Sequence, residues 1–205
     1  MKSSIKLKLY TVALAFFALP SFAQLEPNGF IFQVGVWEPL ARKVQIFKAA
    51  PTFRFGAEVA ISNRLLLRGG VTVTWIQNSR EYSYRVDGQD FSTKTSQTGS
   101  ANIGVDVIRQ FHLKPFRIIF EPFIGLGVSN FYTEIPHKKF KDRSYEVVSP
   151  VATLGFAVTQ RSKWSGINYG YFVEYNYAPY HWFGKVTKAF GNKSLRAGVQ
   201  INLRL

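Results

Sequence analysis

The chain has 205 residues, no cysteine and a formal net charge of +14 at pH 7. This length suits one domain, and the lack of cysteine excludes disulfide bonds, thiolate metal ligands and a cysteine nucleophile. Aromatic residues make up 16% of the chain, too many for a disordered polypeptide, and the positive charge predicts an anionic partner, either nucleic acid or an acidic membrane surface.

Residues 1–23 have the three parts of a secretory signal peptide. Lysines in the first eight residues precede an apolar run over 9–20, and Ser21-Phe22-Ala23 supplies the small residues of a cleavage site. The run is too short for a membrane helix, which needs about 20 residues. We therefore expect a signal peptide over 1–23 and a mature domain over 24–205, whose charge falls from +14 to +11 when the three leader lysines are removed. Because export takes the protein out of the cytoplasm, nucleic acid is not expected as a partner.

In the mature chain, apolar and polar residues alternate with a period of two, which is typical of β-strands. Eight segments show this alternation: 30–37, 52–62, 65–76, 101–108, 116–130, 146–159, 167–178 and 195–205. Their lengths of 8 to 15 residues bracket the ~9–11 residues with which a tilted strand crosses a bilayer.

The links between these segments alternate in length. Short links lie near 62–64, 109–115 and 161–166, and long links lie near 38–50, 77–96, 132–145 and 179–193. This alternation is typical of outer-membrane barrels, which have short periplasmic turns and longer extracellular loops. An even number of strands with both termini in the periplasm follows from it.

The apolar face of each segment can point inward, as in a soluble barrel, or outward, as in a membrane barrel. Three features favour the membrane barrel. The polar face is rich in glycine and small polar residues, aromatic residues such as Trp37, Trp75 and Tyr169 lie at segment ends as an interfacial girdle would, and nearly all strand charges share the polar face. These charges form a predicted lumen network: Arg54, Glu58, Arg68, Asp106, Arg117, Glu121, Glu174, Arg196 and Arg204.

Two prolines, Pro122 and Pro150, lie inside apolar segments. A proline cannot donate a hydrogen bond to a neighbouring strand, and a closed barrel has no free edge on which to place it. We therefore expect a bulge or a strand end at each of the two prolines.

The segments 21–23, 35–40 (GVWEPL), 121–127 (EPFIGLG) and 195–205 resemble those of the small outer-membrane β-barrel proteins of Gram-negative bacteria. The resemblance covers essentially the whole mature chain and implies an all-β, eight-stranded antiparallel up-and-down transmembrane barrel that is inserted by the barrel-assembly machinery. Closing strands in this family usually end in an aromatic residue, whereas this one ends in Leu205. The family includes structural barrels, narrow pores, adhesion barrels and secretion accessories, so membership does not fix an activity.

Some barrels of this size act on lipid A with a hydrolase-like set of residues at the outer rim. The residues that could form such a set are His137, His181, Ser144, Ser149, Glu134, Glu146 and Glu174. No His-x-Ser pair occurs on a strand, His112 lies in a short turn, and both outer histidines are more simply solvated loop residues. Asp87, Gly88 and Asp90 predict a turn rather than a calcium loop, and no spacing matches a metal site. The sequence therefore assigns no catalytic residue, metal or cofactor.

The third and fourth long links mix basic and aromatic residues. The predicted anion or partner contacts are Lys138, Lys139, Lys141, Arg143, Lys185 and Lys188. They suit the phosphates of lipopolysaccharide, outer-membrane lipids or an acidic envelope protein, although a solvated loop also tolerates such charge. We expect a non-enzymatic outer-membrane barrel that supports envelope integrity or surface interaction, without a large pore because side chains fill a barrel of eight strands. The alternatives are a lipid A-modifying acyl hydrolase, an accessory barrel of a protein secretion system and a soluble lipocalin-like binder.

Overall fold

The computed structural model describes residues 28–40, 47–77, 82–86, 89–93, 98–134, 144–162, 166–183 and 192–205. The strands in these ranges are β1 (Gly29–Pro39), β2 (Ala50–Ser62), β3 (Leu65–Ile76), β4 (Tyr82–Val86), β5 (Gln89–Thr93), β6 (Thr98–Arg109), β7 (Phe111–Leu113), β8 (Ile118–Glu134), β9 (Ser144–Arg161), β10 (Ile167–Tyr177) and β11 (Lys193–Arg204). Two 3-10 helices span Lys114–Phe116 and Tyr180–Phe183. Among the described residues, no helix has the length and apolar character needed to span a membrane.

Eight long strands close into an antiparallel barrel with up-and-down order. Each pairs with the next long strand along the chain, β6 pairs with β8, and β1 pairs with β11 from Gly29↔Arg204 to Pro39↔Ser194 to close the sheet. The eight-stranded barrel predicted from the alternation is confirmed, and each strand end lies within four residues of its predicted position.

The barrel wall has the polarity of a membrane protein. Its outward face is apolar and exposed, with relative accessibilities of 73% for Leu126, 61% for Leu154 and 71% for Tyr171. The alternate residues point inward, where polar side chains such as Gln33 and Thr159 are buried. A soluble barrel would have the opposite arrangement, so the wall faces lipid.

The two ends of the barrel differ, and we call them the short-turn rim and the long-loop rim. At the short-turn rim, β7 pairs with the start of β8 (Phe111↔Phe120) and the 3-10 helix Lys114–Phe116 connects them. The second long link carries the β4–β5 hairpin, whose innermost pair is Val86↔Gln89. Of the predicted turn residues, Asp90 lies in β5 opposite Arg85, and Asp87 and Gly88 lie outside the described residues.

The two prolines lie within continuous strands, so the expected bulges do not occur there, but each lies where one of its neighbouring ladders is interrupted. Pro122 pairs with Phe156 on β9, and on its other side the β6 ladder ends at Phe123 before the β7 ladder begins at Phe120. Pro150 pairs with β8, but the β9–β10 ladder extends only to Ala152. A missing N–H is tolerated at such positions because the ladder on one side is interrupted there.

Candidate functional site in the barrel lumen

Two ion pairs join neighbouring strands inside the barrel. Arg68 stands opposite Glu58, and its Nε and Nη2 atoms lie 2.9 and 2.6 Å from Glu58 Oε1. Arg196 stands opposite Glu174, with Nη2 2.8 Å from Oε2. All four side chains are buried. Because desolvation costs several kcal/mol per ion, each of these charges depends on its partner.

A third ion pair reaches across an intervening strand. Arg54 on β2 extends over β3 to Asp106 on β6, with Nη2 2.6 Å from Oδ2. Gly70 on β3 leaves space for this side chain, since a Cβ there would lie 3.1 Å from Arg54 Nε. A Cβ on Gly125 of β8 would collide with Oδ1 of Asp106. The glycines on the polar face therefore make room for the charged side chains.

Glutamine side chains connect Glu121, which is fully buried, to these pairs. Gln110 Nε2 donates to Glu121 Oε1 over 2.6 Å, and Gln200 Nε2 lies 3.4 Å from Oε2. Gln33 donates to Gln200 over 2.9 Å and accepts from Arg196 Nη2 over 2.8 Å. This relay links the carboxylate on β8 to the arginine on β11. The alternation places Gln33 and Gln200 on the polar face, whereas Gln110 follows the end of β6 and has no sequence signal.

The structure brings most of the predicted lumen charges together. The buried members are Arg54, Glu58, Arg68, Asp106, Glu121, Glu174 and Arg196. Arg204 lies half-buried at the short-turn rim, with Nε 3.0 Å from the side-chain amide of Asn168. Counting Arg204, four arginines face four carboxylates. The described interior is therefore balanced in charge.

The assignment of Arg117 to the lumen is wrong. Arg117 is exposed, has a left-handed backbone with φ of 55°, and follows the 3-10 helix at the short-turn rim. The apolar–polar alternation runs on through this turn, so the pattern could not show that the strand begins only at Ile118. The predicted loop contacts Lys138, Lys139, Lys141, Arg143, Lys185 and Lys188 lie outside the described residues.

An apolar cluster lies in the lumen on the short-turn side of the ion pair between Glu58 and Arg68. Leu66, Ile108 and Phe123 form a buried cluster there. The guanidinium carbon of Arg68 lies 5.9 Å from the ring centroid of Phe123, a distance at which the ring stabilises a cation. The Arg68 side chain therefore packs against apolar side chains on its short-turn side.

Aromatic side chains close the lumen at the long-loop rim. The ring centroids of Phe47 and Phe131 lie 5.3 Å apart, and those of Phe131 and Tyr180 lie 6.0 Å apart. Trp37 turns inward to Phe47, at 6.4 Å, so its predicted place in an outer girdle is wrong. We call these four residues the aromatic cap. A cavity of about 20 Å³ lies beside the cap, enough for about one water molecule.

Tyr180 anchors the aromatic cap to the wall. Its hydroxyl forms a short hydrogen bond with the hydroxyl of Ser129. Burial raises the pKa of Tyr180 to about 12, although the bond to Ser129 acts in the opposite direction. The phenol is therefore neutral at physiological pH and remains a hydrogen-bonding group beneath the loops.

The residues of the alternative hydrolase set do not converge among the described residues. Ser149 is buried in the lumen and donates to the carbonyl of the next residue over 3.0 Å, and Glu174 is held in its ion pair. His112 is exposed at the opposite rim, whereas His137 and the side chain of His181 lie outside the described part. Within that part, no group of three or more histidine or acidic side chains could hold a metal ion.

The ion pairs, the apolar cluster and the aromatic cap together fill the described interior. A second cavity, next to Arg54 and Asp106, also measures about 20 Å³, again enough for about one water molecule. Such an interior can rigidify the wall and fix the positions of the loop ends.

Comparison with known proteins identifies the fold. No family model and no curated protein matches the sequence. The structure is similar to that of Neisserial surface protein A, with a TM-score of 0.64, 11% identity, and coverage of 86% of this chain and 96% of that one. It is also similar to Ail, the attachment invasion locus protein of Yersinia pestis, in complex with the heparin analogue sucrose octasulfate, with a TM-score of 0.50, 12% identity, and coverage of 86% and 97%.

These likenesses agree with the lipid-facing wall and with the outer-membrane location that the sequence predicts. At 11% and 12% identity they describe the fold and leave the activity open. The chain is a small eight-stranded β-barrel with the outer-membrane fold, as the sequence resemblance implies.

Proposed function

We propose that the protein is a non-enzymatic outer-membrane barrel that holds basic extracellular loops against anionic glycans and lipopolysaccharide phosphates, and so supports the envelope. One observation carries the proposal: ion pairs and the aromatic cap fill the described lumen within an apolar wall. A filled barrel is a scaffold rather than a conduit. Ligand binding would then be carried out by the loops that the barrel holds.

The charge of those loops supports an anionic ligand. The third and fourth long links contribute the basic residues Lys138, Lys139, Lys141, Arg143, Lys185 and Lys188. Basic side chains at a membrane surface are attracted to anionic headgroups. Ail, which shares this fold, was crystallised with a polysulfated sugar, and the same chemistry would recognise the phosphates of lipopolysaccharide here.

Lipopolysaccharide binding by the folded protein in detergent tests the proposal. The variant Lys138→Gln/Lys139→Gln/Lys141→Gln/Arg143→Gln should lose at least tenfold in affinity, since each charge-assisted hydrogen bond contributes about 1.5–3 kcal/mol and ~1.4 kcal/mol is tenfold. The control removes two exposed charges from the other rim, in Arg64→Gln/Arg109→Gln, and should bind normally. Equal affinities of the two variants would contradict the proposal.

Two further measurements separate a scaffold from an enzyme or a pore. Mass spectra of lipid A from cells with and without the protein should show the same acylation, because Ser149 and Glu174 are held in other contacts inside the lumen. Folded protein in a planar bilayer should give no stable conductance steps, because the lumen is filled. A change in acylation would favour the hydrolase, and large single-channel currents would refute the filled scaffold.

A further inference from the structure

A basic pocket lies at the short-turn rim, on the opposite side of the barrel from the loops. Its volume is about 370 Å³, within the usual range of ligand pockets, about 300–1,000 Å³. The chain between β7 and β8 forms one side and the end of β9 forms the other. We call it the rim pocket, and its polar lining residues are His112, Lys114, Arg117, Arg161 and Ser162.

The cations of the rim pocket are not neutralised by any carboxylate among the described residues. Lys114, Arg117 and Arg161 are exposed, and none of them forms an ion pair with a carboxylate among the described residues. Burial, followed by the charge of Arg161 and then that of Arg204, lowers the pKa of His112. Further cations from the neighbouring turns act in the same direction. The potential in the pocket is therefore strongly positive.

The backbone holds these cations in a fixed arrangement. The N–H of Arg161 donates to the carbonyl of Arg117 over 2.9 Å, which ties the end of β9 to the turn. The N–H of Arg117 donates to the carbonyl of Lys114 over 3.3 Å. Arg117 has the left-handed conformation, φ 55°, that ends the 3-10 helix. The backbones of Lys114, Arg117 and Arg161 are therefore held together by hydrogen bonds at one pocket, where an anion would meet three cations that have no ion-pair partner among the described residues.

Exposed apolar side chains surround the rim pocket. Phe116 is 70% exposed, Leu113 49% and Phe111 43%. The ring of Phe111 lies 6.3 Å from that of Phe120, which is part of the outward wall. The guanidinium of Arg109 lies 5.3 Å from the centroid of Phe111. The apolar surface therefore continues from the lipid-facing wall to the edge of a cationic pocket.

We propose that the rim pocket binds the phosphate of an anionic glycerophospholipid in the leaflet next to the short turns, with the acyl chains lying on the apolar side chains around Phe116. Arg117 and Arg161 supply bidentate donors that match phosphate oxygens, and Lys114 adds a point charge. A free phosphate would satisfy the cations but would leave the exposed rings without a partner. This inference does not depend on the proposed function, since it concerns the opposite rim.

Native mass spectrometry of the folded full-length protein tests the inference. Phosphatidylglycerol, with one net negative charge, and phosphatidylcholine, with none, are offered at equal concentration, and inorganic phosphate is added as a competitor. We expect phosphatidylglycerol adducts to exceed phosphatidylcholine adducts at least tenfold and to persist in excess phosphate. Equal adducts of the two lipids, or displacement of phosphatidylglycerol by phosphate at matched concentration, would overturn the lipid assignment.

Matched variants locate the site. Arg117→Gln/Arg161→Gln should lower phosphatidylglycerol affinity at least tenfold, whereas Lys48→Gln/Lys193→Gln, which removes the same charge from exposed positions near the other rim, should leave it unchanged. Phe116→Ser keeps every cation and should weaken the binding of phosphatidylglycerol but not of glycerol phosphate. Equal losses in the two charge variants, or no effect of Phe116→Ser, would refute the pocket. All the variants change exposed residues, and the heat-dependent gel mobility of the barrel verifies folding.

Discussion

Replacing Arg68 with methionine tests whether the lumen is sealed. The side chain of Arg68 is fully buried, and Glu58 is 3% exposed. The two hydrogen bonds between them, 2.9 and 2.6 Å, end on a single carboxylate oxygen. Methionine retains most of the volume against Phe123 but leaves the carboxylate of Glu58 without its cation. The effect of this substitution on stability is therefore mainly electrostatic.

We expect Arg68→Met to lower the free energy of unfolding by about 3–5 kcal/mol, the usual cost of removing one partner of a buried ion pair. The measurement is reversible urea unfolding in phospholipid vesicles, followed by tryptophan fluorescence. The double variant Glu58→Leu/Arg68→Met removes both charges and should recover more than half of this loss, because no uncompensated ion remains.

Arg117→Gln is the control for Arg68→Met. It removes an arginine that the alternation also assigns to the lumen but that the structure places in an exposed turn. Its effect should lie within about 0.5 kcal/mol, as for most surface substitutions. A cost of less than about 1 kcal/mol for Arg68→Met would refute the sealed lumen, because it would mean that water screens the pair as it screens a surface ion pair.

Three further predictions follow from local geometry. Gly125→Ala should destabilise the barrel by about 1–3 kcal/mol through a collision with the Asp106 carboxylate, whereas the matched Gly69→Ala, which meets nothing within 4 Å, should be nearly neutral in the same urea titration. An ultraviolet pH titration should show a tyrosinate step near pH 12 that is absent from Tyr180→Phe. Stability should fall as the pH rises from about 10 through 12, because the pKa of Tyr180 in the folded protein lies above the ordinary tyrosine value of about 10. In an NMR titration, Arg161→Gln should raise the lowered pKa of His112; no change would contradict the mutual repulsion of the cations in the rim pocket.

The alternation predicts which face of each strand a residue occupies. That information was enough to assign most of the buried charged side chains to the lumen. Glu58 and Arg68 share the polar face in the sequence, and the antiparallel register then places them opposite one another. Arg54 and Asp106 also share that face, but their pairing across β3 depends on the space at Gly70. Periodicity specifies a face and leaves the partner to the register and to packing.

Residues outside the strands carry no such period, and the wrong assignment of Arg117 and the unpredicted parts of the aromatic cap occur there. Arg117 fits the apolar–polar alternation, but it follows a 3-10 turn and its side chain is exposed to solvent. Phe47 and Tyr180 come from long links, yet they fold back into the mouth of the barrel as part of the aromatic cap. The rim pocket also has no sequence pattern, since its cations come from the turn after β7 and from the end of β9.

The polar interior also explains how an eight-stranded barrel without a channel keeps its register. Glu58↔Arg68 and Glu174↔Arg196 are direct cross-strand pairs. Because the side-chain period of a strand is two, a slip of one residue would turn each of these charges toward lipid. An arginine on the lipid face near the bilayer midplane costs about 2–4 kcal/mol, and its carboxylate partner would lose its cation as well. The apolar wall also excludes that slip, whereas a slip of two residues keeps every side chain on its face but separates each carboxylate from its arginine. The ion pairs therefore select one register among those that the apolar wall alone would allow, and the remaining charge lies at the two rims, where it can contact anionic lipids.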